Sequence, residues 1–464
     1  MTAARRSTAV LMVALALALA APASTAGDDP LLRVVNRDLH FARQQLRRTL
    51  VEVPAGAYPQ ETGPDGRWTT TGPGRWTSGF LAGSLWLMYQ ASGDPSWSRA
   101  AGARQAGLAG EQSNRSTHDL GFILFDSFGK GYRLTAADSY RRVVLGAARS
   151  VASRYRRSVR AIRSWNNPPG TPRSDFRVVI DSLMNLDLLF WASQHGGGHR
   201  LASKARKHAL RTARVQVRPN GSTYHLVIYN GRTGAVKRRT TAQGYRSSST
   251  WSRGQAWALY GFGTAYADTR VARMLAAARR TADYFVSHLP ADRVPYWDFN
   301  APGIPHEPRD SSAAAIAASG LLQLSQLESD PDRAERYLAT AREILSSLSS
   351  KRYLAAGTAS RSILLHGTAD RPAGHYNTGL VYGDYYFIEA LARLRAASPA
   401  APDGGVGEGA TDAGGAAAAS PVASSGGCAT GSHAAIGALA LLACAPLLRW
   451  RRKPSTAVEK RDRS

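Results

Sequence analysis

Apolar side chains recur at helical spacing, i, i+3, i+4 and i+7, in twelve runs along the chain, separated by short polar or Gly/Pro breaks. The runs lie at 31–52, 77–92, 96–112, 118–132, 136–157 and 180–195, then at 199–216, 252–267, 270–288, 311–328, 332–349 and 379–396. Breaks such as Gly93-Asp94-Pro95 and Asp330-Pro331 fall between members of a pair. One interruption has the period of a strand: Gly221 to Tyr229, G-S-T-Y-H-L-V-I-Y, alternates and is followed by Asn230-Gly231, which predicts a β-hairpin. The even-numbered runs are the more apolar and aromatic. The pattern predicts an all-α fold, an (α/α)6 barrel with a small β-hairpin insertion, in which the even-numbered helices form the inner ring.

The unusual residues sit at one end of those inner helices. Trp76-Thr77-Ser78, His118-Asp119, Asp181, Trp251-Ser252-Arg253, Arg309-Asp310-Ser311 and Tyr382-Gly383-Asp384 each fall at the N-terminal end of an even-numbered run. Inner helices running the same way gather all six at one rim, where helix N-termini also favour anionic groups. A funnel lined by aromatic, amide and charged groups suits sugar rings, and Arg suits a carboxylate. The stretch 177–191, R-V-V-I-D-S-L-M-N-L-D-L-L-F-W, places Asp181 at the start of an almost wholly apolar run. Burial there raises the pKa of a carboxyl and makes it a general acid near neutral pH. The same position also fits an N-cap, as does that of Asp119. Asp138, Asp298, Asp310 and Asp384 read as caps or structural partners, Trp251 and Trp257 also fit core aromatics, and Arg253 also fits an ion pair with Asp310.

Composition narrows the chemistry. The formal charge of +26 rests on 52 Arg against 7 Lys; it suits steering of acidic ligands, and no nucleic-acid-binding module is recognisable. The Arg-rich run 141–163 reads as a solvated outer face. The two cysteines, Cys428 and Cys444, lie outside the helical part, which excludes a disulfide framework, a thiolate metal site and a cysteine nucleophile there. H-E-x-x-H, G-x-x-x-x-G-K-[ST] and G-x-S-x-G are absent, so the commonest metalloprotease, P-loop and serine-hydrolase readings fall away.

The ends read as processing segments. Residues 1–26 have the charged, apolar and small-residue layout of a secretory signal peptide. Residues 27–398 form the helical domain, and 399–427 is an Ala/Gly/Ser linker too poor in large apolar side chains to fold. Residues 428–464 carry an apolar segment, 434–448, followed by Arg449, Arg451, Arg452 and Lys453. With Gly426-Gly427-Cys428 ahead of it, the order Gly-Cys, hydrophobic helix, Arg cluster resembles the MYXO-CTERM type of bacterial sorting signal, which implies processing near Cys428 and display at the cell surface, with membrane contact only through the tail.

The assembled motifs resemble the unsaturated glucuronyl hydrolases of glycoside hydrolase family 88 over roughly residues 31–397. They are R-W-T-S-G-F (75–80), H-D-L-G-F (118–122), S-W-N-N-P (164–168), I-D-S-L-M-N (180–185), V-R-P-N-G-S-T-Y-H (217–225), Q-G-Y (243–245), S-T-W-S-R-G-Q-A-W-A-L-Y-G (249–261), P-Y-W-D-F (295–299), R-D-S-S-A (309–313) and Y-G-D-Y-Y-F (382–387). The resemblance implies removal of a 4,5-unsaturated uronic acid from the non-reducing end of lyase-generated acidic oligosaccharides, with no metal and no cofactor. It implies Asp181 as general acid and base, Asp119 as a second essential carboxylate, and substrate contacts from Trp76, His118, Trp165, His225, Gln243, Trp251, Arg253 and Trp257. The chain departs from the usual pattern at Arg246-Ser247-Ser248-Ser249, where many relatives carry an acidic pair. Two other functions share these features: an unsaturated rhamnogalacturonyl hydrolase on the same barrel, and a non-catalytic surface glycan-binding protein.

Overall fold

A helix that is apolar all round must be buried on every side, and this sorts the helices of the computed structural model, which describes residues 29–397. Helix α1 spans Pro30–Glu52, α2 Phe80–Ser92, α3 Pro95–Ala106, α4 Lys130–Thr135, α5 Asp138–Ser153 and α6 Asp187–Ala192. Helix α7 spans Arg200–Val215, α8 Ser252–Thr269, α9 Ala272–Ser287, α10 Ser311–Leu327, α11 Pro331–Leu348 and α12 Val381–Ala397. In α2 every residue from Phe80 to Met88 is buried, in α8 every residue from Ser252 to Gly263, and in α10 every residue from Ser311 to Leu322. The even-numbered helices contact one another around a ring that closes, between α2 and α8, through the segments Gly121–Gly129 and Ile180–Leu186 leading into α4 and α6, so the protein is an (α/α)6 barrel. The small residues of α10 permit this closeness: a Cβ on Gly320 would lie 2.7 Å from Leu259 and 2.9 Å from Tyr260.

The odd-numbered helices each bury one face and form the outer ring, and all but α3 are amphipathic in sequence. In α1 the buried positions, Val35, Asp38, Leu39, Ala42, Gln45, Leu46 and Thr49, keep helical spacing on one face. Three of these helices start on the same device. Asp29, Asp94 and Asp330 each cap a helix by accepting a hydrogen bond from a free backbone N–H, and each is followed by proline at the first helical position. Proline's fixed φ suits that position and its missing N–H costs nothing there.

Two inner elements are not regular at their beginnings. Residues Gly121–Gly129 wind as a π-helix into α4, and Ile180–Leu186 wind as a 3₁₀ turn into α6. They touch through Asn185, whose Oδ1 accepts a hydrogen bond from Phe122 N at 3.1 Å. A Cβ on Gly121 would stand 2.5 Å from that same oxygen, so only glycine lets Asn185 come close enough to serve the helix end.

The expected hairpin is present at the Asn230-Gly231 turn as β6 and β7, and the strand pairing extends it. Strand β5 (Asp175–Val179) pairs antiparallel with β6 (Leu226–Asn230), which pairs with β7 (Val236–Thr240), giving three strands rather than two. The alternating stretch before Leu226 is loop, and Arg177–Val179, expected to lead into a helix, is strand. Smaller ribbons join β1 (Tyr58–Thr62) to β2 (Trp68–Thr71), β3 (Tyr155–Arg156) to β4 (Ala161–Ile162), and β8 (Gly367–Asp370) to β9 (His375–Thr378). The leader at 1–26, the linker at 399–427 and the tail at 428–464 lie outside the described residues. Among the described residues no helix is long and apolar enough to cross a membrane.

Candidate active site

The rim motifs are joined by a line of side-chain contacts, which Phe122 closes by packing 5.5 Å from Trp76. Trp76 stacks at 4.7 Å on Tyr382, and the Arg253 guanidinium lies 5.2 Å from the Tyr382 ring and 4.4 Å from that of Trp251. Trp251 packs 4.4 Å from His225, which faces Asp181. The neighbouring Ser182 reaches His118, and His118 reaches Asp119.

Asp119 is held by the chain next to it. Its Oδ2 accepts from Thr117 Oγ1 at 2.7 Å, and its Oδ1 lies 3.2 Å from His118 Nε2. The imidazole is fixed from behind. Val179 N donates to Ser164 Oγ at 2.9 Å, Ser164 and Ser182 share a hydrogen bond of 2.8 Å, and Ser182 Oγ lies 3.0 Å from His118 Nδ1. The direction of this line is set at its other end, where Asp119 Oδ1 faces Nε2 as an acceptor and leaves Nδ1 to accept from Ser182 Oγ. His118 Nδ1 is therefore the acceptor and Nε2 carries the proton, aimed at Asp119. Burial holds the His118 pKa below its ordinary value, so the ring is neutral. His118, expected to touch substrate, is 1% exposed and commits both nitrogens inside the protein, which makes it a positioning residue.

Asp181 has a matching arrangement on the other side. The β5–β6 ladder continues one step beyond the strands, Ile180 N donating to His225 O at 2.9 Å, which sets His225 beside Asp181. His225 Nδ1 accepts from Ala242 N at 3.2 Å, so its proton too is on Nε2, which lies 3.7 Å from Asp181 Oδ2. That oxygen has no hydrogen-bond partner, and Val179 rather than Asp181 is the N-cap of the turn that follows. Burial pushes the Asp181 carboxyl up to about 7, with Asp119 adding to the rise and Arg253 opposing it. Burial and the Arg253 charge push His225 down to about 3. The rim thus sets two carboxyls, each opposed by a neutral imidazole, and one of them keeps its proton close to neutral pH.

Arg253 sits deeper than expected. It is 1% exposed, pairs with Asp310 Oδ2 at 3.1 Å, and donates to the carbonyls of Thr368 and Ala369 on β8. Both terminal nitrogens bond to the protein while Nε has no hydrogen-bond partner, and the ion pair with Asp310 gives the guanidinium a scaffolding role as well as a field. Asp310 also caps α10. Replacing Arg253 by Ala leaves a buried carboxylate uncompensated, and the expected result is a loss of about 3–5 kcal/mol of stability. Denaturant unfolding of Arg253→Ala checks this; stability equal to the wild type contradicts the placement.

The remaining expected contacts divide. Trp76 and Gln243 line a cleft of about 640 Å³ together with Glu61, Arg75, Asp370 and Tyr382. Gln243 Nε2 donates to Ala369 O at 2.8 Å, the carbonyl that Arg253 also uses. Trp165 stands 6.5 Å from His118, its backbone bridged to Thr117. Trp251 is 3% exposed. Trp257 is 1% exposed and packs against Phe122 and Tyr386, which makes it a core aromatic. Asp298 is a structural acceptor, taking hydrogen bonds from Tyr245 N and Ser249 Oγ and so anchoring the divergent stretch 246–249. Asp384 similarly accepts from Ile363 N and Leu364 N, and Asp138 pairs with Arg141 and Arg142. Sequence reasoning missed Glu61, Arg75 and Asp370 because they come from β1, the loop before α2 and β8; the short polar alternation flanking those segments was the available signal.

No family model matches the chain. An unsaturated glucuronyl hydrolase of Formosa agariphila is 39% identical over 323 residues, 68% of this chain and 79% of that protein. One from Bacillus sp. GL1 is 37% identical over 332 residues, covering 69% of this chain and 86% of the relative. Among solved structures, an unsaturated glucuronyl hydrolase specific for heparin superposes with a TM-score of 0.75 at 36% identity, covering 79% of this chain and 99% of that one.

Proposed function

The chain belongs to the family of unsaturated glucuronyl hydrolases, and from that premise we propose that Asp181 removes a 4,5-unsaturated uronic acid from acidic oligosaccharides by hydrating its double bond. The observation that carries the reading is the state of Asp181: its Oδ2 is unpartnered, the adjacent imidazole is neutral, and burial holds the carboxyl at about 7. An acid poised near the working pH balances proton availability against driving force.

The substrate's C4=C5 bond is a vinyl ether. Asp181 gives its proton to C4, positive charge spreads over C5 and the ring oxygen, and water adds at C5 as Asp181 takes one of its protons. The product of that addition is a hemiketal. It opens to a C5 ketone, which frees C1 as a hemiacetal that releases the neighbouring sugar; one water is consumed overall. Asp119, whose charge helps to raise the Asp181 pKa, supports the proton on Asp181 and stabilises the positive charge that develops at C5 and the ring oxygen. Trp76 and Trp165 offer faces to sugar rings, and Gln243 lies within the same cleft. Glucuronyl relatives favour this substrate over the rhamnogalacturonyl alternative.

The position of the water tests the mechanism. Turnover in ¹⁸O-water, with the product trapped at once by borohydride, is expected to place the label at C5. An ordinary glycosidase, with two carboxyls about 5–9.5 Å apart across the scissile bond, labels C1. Saturated glucuronides are expected to be poor substrates. Label at C1, or efficient cleavage of the saturated analogue, overturns hydration.

A further inference from the structure

Beyond α5 the chain runs through β3 and β4 into the loop carrying Trp165, and there a second cleft of about 830 Å³ opens. Its lining includes Arg115, Arg154, Arg156, Arg163, Asn166 and Phe176. Several arginines of the outer ring are paired with carboxylates, as Arg141 and Arg142 are with Asp138, Arg279 with Glu328, and Arg333 with Asp283. Here they are not. Arg154 donates to the carbonyls of Arg115, Arg163 and Ser164 and to Asn166 Oδ1, all neutral acceptors. Arg163 donates to Asn167 Oδ1 at 3.3 Å and stacks 4.9 Å over Phe176. Four arginines thus line one concavity whose lining contains no carboxylate.

The cleft adjoins the catalytic rim. Asn166 follows Trp165, which is bridged to Thr117, the residue that holds Asp119. Ser164 belongs to the line that orients His118. The Arg154 charge reaches both His118 and Asp119. The sequence reading of 141–163 as solvated face therefore holds for Arg141 and Arg142 but not for Arg154, at the end of α5, and Arg163, beyond β4, which line the cleft.

Resting on the reading proposed above, we infer that this arginine cleft binds an anionic oxygen group, a sulfate ester or a carboxylate, carried by the sugars beyond the cleaved bond. Guanidinium forks match both groups, and arginines bonded only to neutral acceptors retain their full charge for such a ligand. Arg154 also ties down the surrounding loop, so Arg115 and Arg163 are the residues to change.

The test uses three unsaturated substrates: an unsulfated disaccharide, its sulfated counterpart, and an unsulfated tetrasaccharide whose third ring is a uronic acid. In Arg115→Gln and Arg163→Gln the kcat/KM ratio of an anionic substrate to the unsulfated disaccharide is expected to fall about tenfold, as for one lost charge-assisted hydrogen bond. A fall confined to the sulfated disaccharide identifies sulfate, and a fall confined to the tetrasaccharide identifies the uronate carboxylate. Wild-type ratios in both variants overturn the inference. If the wild type turns over none of the three, the hydrolase reading fails instead, and calorimetric titration of the sulfated disaccharide and the tetrasaccharide into wild type and Arg163→Gln decides the cleft: arginine-dependent binding supports it, and its absence overturns it.

Discussion

Asp181→Asn is expected to lose about 10⁴-fold in kcat, the upper end of what a positioned acid–base group contributes, because one carboxyl serves in both proton transfers. Binding should stay within about tenfold, since the amide keeps the shape and can still face His225. In the wild type, kcat should decline as pH rises through about 7, where Asp181 gives up its proton. A second readout follows from the same burial. The unfolded chain releases this proton near pH 4 whereas the folded protein keeps it to about 7, so the unfolded state binds fewer protons in between. Stability therefore falls as pH rises across that window and stays lower above it. Asparagine removes the penalty. Urea unfolding at pH 8 should find Asp181→Asn more stable on the order of 2 kcal/mol, allowing for a side chain 18% exposed, with the gain vanishing near pH 4. Full activity in the variant, or a pH-independent stability difference, sinks the assignment.

Asp119→Asn is expected to lose at least about 100-fold in kcat. Its charge is one of the causes that keep the proton on Asp181, so the variant's alkaline limb should also move to lower pH. A residue that merely shapes the loop would not move that limb. A near-normal rate with an unshifted profile would reduce Asp119 to a partner of Thr117 and His118.

The inner ring was legible in the chain because residues that are apolar all round leave a strong mark, and the Asp-Pro starts of the outer helices leave another. Gathering six motifs at one rim followed from the parallel direction of the inner helices. What stayed hidden has physical causes. Arg177-Val178-Val179 runs without a break into Ile180, and a short buried strand has the same apolar pattern as a buried helical turn. Trp76 in the turn before α2 and Trp257 inside α8 both stand beside apolar runs, and only packing decides that one ends in the cleft and the other beneath Phe122. The partners of Arg253 include two backbone carbonyls of β8, which no side chain announces. His225 reaches Asp181 through a strand register, a relation between residues 45 positions apart in Ile180 and His225.

The contact between Asn185 and Phe122 N, made possible by Gly121, has a consequence for how such an enzyme can diversify. It fastens the two turns that bear Asp119 and Asp181 to each other inside the barrel, so the spacing of the acid pair is inherited from the interior. The walls of the two clefts come largely from ribbons and loops outside that joint, at β1, β8 and the segment 163–167. Insertions and charge reversals can accumulate in those walls while the reaction centre stays in register. New sugars can then be recruited to an old reaction, whereas a change at Gly121 or Asn185 alters the chemistry for every sugar at once.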